Sequence, residues 1–193
     1  MTYYIDFDNT LFDTVSFYND LMNIMIKYGI DEERIQEYNR YNQNLFNPLK
    51  LINYNIEKYH INKEILNDVD NHFKNAYKYI YRDVINFLLK VKNSGSKLVL
   101  LTYGDYDYQD RKITSSCIKE YFDEVIITNQ EKHSLDLDYK NGVFVDDNVD
   151  VINGLLQKSP YKIIRIKRLN NYHSQKLLNN SLVKEYVDLC DID

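Results

Sequence analysis

Long apolar runs are missing from this sequence. None approaches the roughly 18 residues that a membrane-spanning helix needs, so no membrane partner is expected. Chain punctuation is sparse too: 2 prolines and 5 glycines occur in 193 residues. No linker, internal repeat or low-complexity tract is present, which leaves one core domain with room for an inserted subdomain. Cysteine is scarce. Cys117 and Cys190 are too few and too distant for a disulfide framework. They read as small buried hydrophobes in a reducing compartment. Met1 leads straight into an apolar stretch, which leaves no room for a signal peptide, so a cytoplasmic location is expected. A basic excess is missing as well. Lys and Arg total 24 against 29 Asp and Glu, a formal net charge of -5. Phosphate backbones want a basic face, so no nucleic-acid partner is expected. His60, His72, His133 and His173 have no metal-ligand partner at useful spacing. Tyrosine is plentiful, at 19. Tyr, Asn, Lys and Ile all have AT-rich codons, so codon bias accounts for the tyrosines without an aromatic binding surface.

The apolar pattern divides the chain. Residues 3–8 read as a short strand. A helix follows, with Val15, Tyr18, Leu21, Met22, Met25 and Tyr28 at helical spacing and Gly29 as its stop. Asp31 caps a second helix carrying Ile35, Tyr38 and Leu45. Pro48 breaks the run. A weaker helix holds Ile52, Ile56 and Tyr59, and Asn62 caps another with Leu66, Val69, Phe73, Tyr77 and Ile80. No strand is expected between residues 13 and 82. From residue 83 the pattern alternates. It runs through a helix ending at Asn93-Ser94-Gly95, a strand Lys97–Leu101, a helix over 106–121 and a strand Glu124–Thr128. An Asn141-Gly142 turn, a strand over 143–145, a helix over 149–157 and a strand over 162–166 follow. The last twenty residues read as helical. Such alternation predicts an α/β fold, a doubly wound parallel sheet with helices on both faces.

Ligands of such sheets bind beyond the carboxyl ends of the strands. There the sequence puts Asp6 and Asp8, then Thr102-Tyr103-Gly104, then Asp146-Asp147. Four carboxylates near one point repel one another unless a cation joins them. Oxygen ligands without His or Cys favour Mg²⁺ over zinc. A threonine hydroxyl followed by free backbone N–H groups suits an anion. With a nearby lysine, the set suits phosphoryl transfer. One aspartate can attack phosphorus. A second, two residues on and on the same side of an extended chain, can move the protons.

In this order, Asp6-Phe7-Asp8-Asn9-Thr10, the apolar strand ending in Thr102, and Val143-Phe144-Val145-Asp146-Asp147 resemble the motifs of the haloacid dehalogenase superfamily. The connecting stretches VINFLLKVKNSGSKLVLLT and YFDEVIIT look similar too. The resemblance covers residues 1–10 and roughly 83–157. It implies a Rossmann-like core formed by residues 1–13 and 83–193, with residues 14–82 as an inserted all-α cap. It implies Asp6 as nucleophile and metal ligand, and Asp8 as general acid/base that also offers a backbone carbonyl to Mg²⁺. Thr102, with Tyr103 beside it, would bind the transferring phosphoryl group. Asp147 is favoured as the direct metal ligand of the acidic pair, with Asp146 behind it. Lys132 is favoured as the motif lysine over Lys112 and Lys119. Asp150 and Asp13 read as helix-end residues.

Asp8 and Thr10 favour phosphate chemistry, since dehalogenases of this superfamily lack an acid at the first of these positions. The expected activity is Mg²⁺-dependent hydrolysis of a small phosphorylated metabolite or nucleotide through an aspartyl-phosphate. A phosphotransferase or phosphomutase, or a non-catalytic binding protein, are the alternatives on the same scaffold. Phe12, Phe17, Tyr18 and Asn42-Gln43-Asn44 could face the cleft, though helix packing and a solvated turn are the preferred readings. Lys162, Arg165, Lys167 and Arg168 read as a solvated strand edge. The oligomeric state is left open.

Overall fold

Tyr4 and Ile5 leave the first strand on opposite faces, and both are buried. The same alternation recurs in every central strand, as expected of a sheet covered on both sides. The structure, a computed structural model, describes residues 1–42, 45–168, 177 and 181–192. Six parallel strands lie in the order β3-β2-β1-β4-β5-β6. They are β1 (Thr2–Ile5), β2 (Lys97–Tyr103), β3 (Glu124–Thr128), β4 (Gly142–Asp146), β5 (Lys162–Ile166) and β6 (Val183–Tyr186). On one face, Ile5, Leu98, Leu100, Val143, Val145 and Ile164 share an apolar cluster with α5 (Val84–Asn93) and α6 (Tyr106–Ser115). On the other, Tyr4, Val99, Leu101, Phe144 and Ile163 pack with α7 (Val149–Leu156). Strand β1 sits between β2 and β4. The strand order reverses there, so its carboxyl end opens into the crevice such sheets use for ligands.

Residues 14–79 contain no strand among the described residues: α1 (Thr14–Lys27), α2 (Glu32–Tyr41), α3 (Pro48–Tyr59), α4 (Ile65–Lys74) and a 3-10 turn Ala76–Tyr79; Ile80 then makes a single antiparallel bridge to Phe12. Side chains cap three of them. Asp13 accepts from Ser16 N at 3.0 Å, Asp31 from Arg34 N at 3.1 Å and Asn47 from Leu49 N at 2.9 Å. Each satisfies a backbone donor that the first helical turn leaves over. Pro48 is the first residue of α3, where its missing N–H costs nothing. Gly29, at φ 82, takes the left-handed conformation that stops α1.

Several expectations change. The first strand ends at Ile5, because residues 6–12 fold into a tight loop with Leu11 and Phe12 N both donating to Phe7 O at 3.0 Å. Helix α2 ends at Tyr41, so Leu45 lies beyond it. Helix α6 ends at Ser115, because Cys117 turns the chain at φ 61. The chain end is a strand and not a helix. Val183–Tyr186 pairs in parallel with Ile163–Ile166, and a 3-10 turn, Leu189–Asp191, follows. The open edge of β5 offers ladder hydrogen bonds, and Val183 and Tyr186 favour the extended form. Both cysteines are exposed and unpaired, since neither falls on an apolar stripe. No described helix is long and apolar enough to cross a membrane.

Candidate active site

The loop after β1 aims alternate residues in opposite directions. Phe7, Leu11 and Phe12 are fully buried, and the Phe7 and Phe12 rings stack at 4.8 Å. Apolar anchoring on that side leaves Asp6 and Asp8 on the other, both lining one cleft of about 210 Å³. Asn9 bends the loop at φ 55, a region that asparagine tolerates better than most residues. Asp6 N donates to Val145 O at 2.9 Å, which docks the end of β1 against β4. Thr102, Tyr103, Lys132, Asp146 and Asp147 complete the main wall of the cleft.

Asp6, Asp146 and Asp147 each offer a carboxylate oxygen, and all three atoms lie within 4.8 Å of one another. Lys132 reaches into this group from a one-turn 3-10 helix after β3. Its ammonium lies 2.5 Å from Asp6 Oδ1 and 2.7 Å from Asp146 Oδ2. Burial alone would lower the Lys132 pKa, yet the charges of Asp146 and Asp6 hold it above the ordinary value. Burial pushes the Asp6 carboxyl well above the usual range. Lys132 opposes this, while Asp146, Asp147 and Asp8 add to it. The Asp146 Oδ1 atom accepts from Asn148 N at 2.9 Å. Thr10 Oγ1 donates to Asp147 Oδ1 at 3.3 Å. Three clustered carboxylates with no His or Cys among them form an oxygen-only donor set, which fits a hard divalent cation.

Asp8 behaves differently. Its carboxylate is not part of this group. It accepts from Lys112 Nζ at 2.5 Å, from Gln109 Nε2 at 2.7 Å and from the Thr14 hydroxyl. Burial resists its ionisation, but the Lys112 charge and these hydrogen bonds outweigh burial and hold its pKa below the ordinary value. The metal-ligand role implied for Asp8 concerns its backbone carbonyl, a different atom.

Thr102 is almost wholly buried, and its hydroxyl has no hydrogen-bond partner among the described residues. Beside the cleft, and sharing Tyr103 with it, lies a wider cavity of about 720 Å³. Lys50 reaches it from α3, and Asp105, Tyr106 and Asn129 line its other side. Asn47 and Lys50 both bond Asp105 at 2.7 Å, tying the helical insertion to the start of α6.

Sequence reasoning placed Lys112 only as a rival for the motif lysine, and Lys119 likewise. Lys119 pairs with Asp110 on the surface. Lys112 is the partner of Asp8, and so is Gln109, which nothing in the sequence marks. Asp150 is exposed in the first turn of α7. Arg168, read as solvated, is buried instead. Its side chain is 8% exposed, and it forks onto both Asp83 oxygens at 2.7 and 3.0 Å. It also donates twice to the Thr10 carbonyl, at 3.2 and 2.8 Å. Phe12 and Phe17 pack in the core, and Tyr18 meets Phe46 edge-on. Gln43, Asn44 and His173 lie outside the described residues.

The family model of haloacid dehalogenase-like hydrolases matches residues 4–135. The chain belongs to this family. That match spans Asp6 to Lys132 and stops before the acidic pair, which the fold brings back to the same cleft. No curated protein sequence matches the chain. Solved structures carry the likeness further. A haloacid dehalogenase-like hydrolase from Burkholderia xenovorans LB400 is similar at TM-score 0.74 and 19% identity, over 98% of this chain and 93% of that one. The HAD-hydrolase YfnB from Bacillus subtilis, bound to magnesium, is similar at TM-score 0.60 and 10% identity, over 98% and 95%. L-2-haloacid dehalogenase from Xanthobacter autotrophicus, with chloropropionic acid covalently bound, is similar at TM-score 0.55 and 16% identity, over 88% and 78%. At these identities the likeness concerns the fold.

Proposed function

We propose that this hydrolase is a Mg²⁺-dependent phosphatase of a small phosphomonoester, a metabolite or nucleotide. The buried Thr102 hydroxyl, without a protein partner on the wall of a cleft that also holds Asp6 and Lys132, carries the reading. A buried hydroxyl left unpaired is costly, and a phosphoryl oxygen would pair it. The second acid supports phosphate over halide. A departing halide needs no proton, whereas a departing alkoxide does, and Asp8 would supply one.

Asp6, Asp147 and Asp146 would hold Mg²⁺, with the Asp8 backbone carbonyl as a further ligand by family resemblance. When bound, Mg²⁺ would favour the ionised Asp6 and offset negative charge on the phosphoryl oxygens. The chain's own groups then have distinct tasks. Asp6 attacks phosphorus, and the bond to the ester oxygen breaks. Asp8 gives its proton to that oxygen. Lys112 favours ionised Asp8 at rest, and the negative charge of a bound ester beside it raises its proton affinity, so that Asp8 takes up a proton from solvent as the ester binds and then passes it on. Ionised again, Asp8 takes a proton from the water that attacks the aspartyl-phosphate. Phosphate departs and Asp6 is restored. Thr102 and Lys132 hold the phosphoryl oxygens throughout. The wider cavity beside Tyr103 would take the organic group.

Phosphate release from sugar phosphates, nucleotides, FMN and p-nitrophenyl phosphate tests the proposal. Release with Mg²⁺, lost with EDTA and in Asp6→Asn, is the expected result. A folded protein that releases no phosphate from any ester would overturn it. Release from one ester without an added acceptor separates hydrolysis from phosphoryl transfer to a second substrate.

A further inference from the structure

Lys112 is 1% exposed, and in the chemistry above it does no more than favour the ionised form of Asp8 at rest. Its ammonium sits 2.5 Å from Asp8 Oδ1 and about 5 Å from the Tyr108 ring centre, with the Phe7 and Phe12 rings slightly further away. A buried ammonium without a counter-charge costs several kcal/mol. Asp8 is the only acid ion-paired with it among the described residues. Gln109, one turn earlier on α6, donates to the other Asp8 oxygen and, at 2.8 Å, to the Tyr103 carbonyl. The chain leaves space for that amide. A Cβ on Gly104 would lie 2.7 Å from Gln109 Nε2. Asp8 is two residues from Asp6, on the same side of the loop. Without these two donors, only the Thr14 hydroxyl would hold its carboxylate in place.

We propose that Gln109 and Lys112 form a brace on α6 that holds the Asp8 carboxyl apart from the Asp6–Asp146–Asp147 group and poised for the leaving oxygen. Lys112 is thus a positioning residue for leaving-group protonation. This role rests on the phosphatase reading and adds to it the residues that set its acid.

The test compares kcat/KM for an alkyl phosphate and for p-nitrophenyl phosphate, both with Mg²⁺. Nitrophenolate departs without a proton and alkoxide does not. The ratio kcat/KM reports steps up to phosphoryl transfer onto Asp6, so the later water step does not enter. Lys112→Met is expected to lose about 100-fold on the alkyl ester and less than about 5-fold on the aryl ester. The Asp8→Asn/Lys112→Met double variant, neutral at both positions, should be no slower than Asp8→Asn. Gln109→Leu keeps the ion pair and should show the same selectivity at about 10-fold. It serves where Lys112→Met does not fold. Equal losses on both esters, or a double variant slower than Asp8→Asn, would overturn the brace and leave the phosphatase reading standing. No turnover of either ester by the unaltered protein would overturn both.

Discussion

Thr102 carries a buried polar group that the fold leaves unsatisfied and that the proposed function would pair. Its hydroxyl is buried without a partner among the described residues. Valine has the same shape and no polar atom, so Thr102→Val removes an unsatisfied group. We expect the urea midpoint to hold or to rise, by up to about 1–3 kcal/mol of stability. Phosphatase activity should fall in the same variant. A loss of stability would mean that the hydroxyl has a partner within the fold. His72 gives a second case, away from the cleft. It is buried against Phe17, with Nε2 3.1 Å from the Phe17 carbonyl. Burial holds its pKa below the ordinary value. The unfolded chain, near pH 6.5, therefore takes up a proton before the folded chain does. Stability should fall as the pH drops below 6.5, and go on falling until the pH passes the folded pKa. The slope from this group is at most about 1.4 kcal/mol per pH unit. His72→Gln, which keeps a donor, should flatten that limb in urea titrations between pH 7 and 5. An unchanged slope would mean that His72 is as easily protonated folded as unfolded.

Among the elements, the decisive joint lies where β5 ends. Arg168 ties it to Asp83, the residue before α5, and to the loop carrying Thr10. Leu189 N donates to the same Asp83 carboxylate at 2.7 Å, which fastens the C-terminal turn. Thr10 in turn reaches Asp147. The joint thus braces the floor of the cleft from outside it. Arg168→Met should cost about 3–5 kcal/mol, because Asp83 is left as a buried charge without its partner. Chemical denaturation measures this directly. A cost under about 1 kcal/mol would return Arg168 to the solvated edge that its neighbours suggest. In the sequence, Arg168 stands in a run with Lys162, Arg165 and Lys167. Nothing local separates it from them, since Asp83 is remote along the chain. Lys112 is hidden in the same way. It lies in a polar helix, YDYQDRKITS, where a lysine is usually solvated, and only the packing of α6 over Phe7 turns it inward.

At the scale of the whole molecule, insertion and sheet share one apolar cluster. Phe17, Leu51 and Ile65 belong to it together with Ile5, Leu100 and Val145. Binding at the carboxyl edge of the sheet should therefore stabilise the chain as a whole. Mg²⁺ at 100 times its Kd should add about 2.7 kcal/mol and raise the melting temperature. Asp147→Asn should remove most of that rise, while EDTA leaves the variant unaffected. An equal rise in both proteins would move the ion to another site.

The sequence by itself determined the parallel α/β sheet, the helical block after the first strand and the positions of Asp6, Thr102, Asp146 and Asp147. These residues end apolar strands, where local rules of burial are broken in plain view. Only the tertiary structure decided which lysine meets which acid, that Arg168 is buried, and that the chain finishes as a sixth strand. The reason is physical. Strand ends are written in a few adjacent residues, whereas ion pairs across 104 or 126 positions, and an edge that recruits a late strand, exist only once the elements have packed.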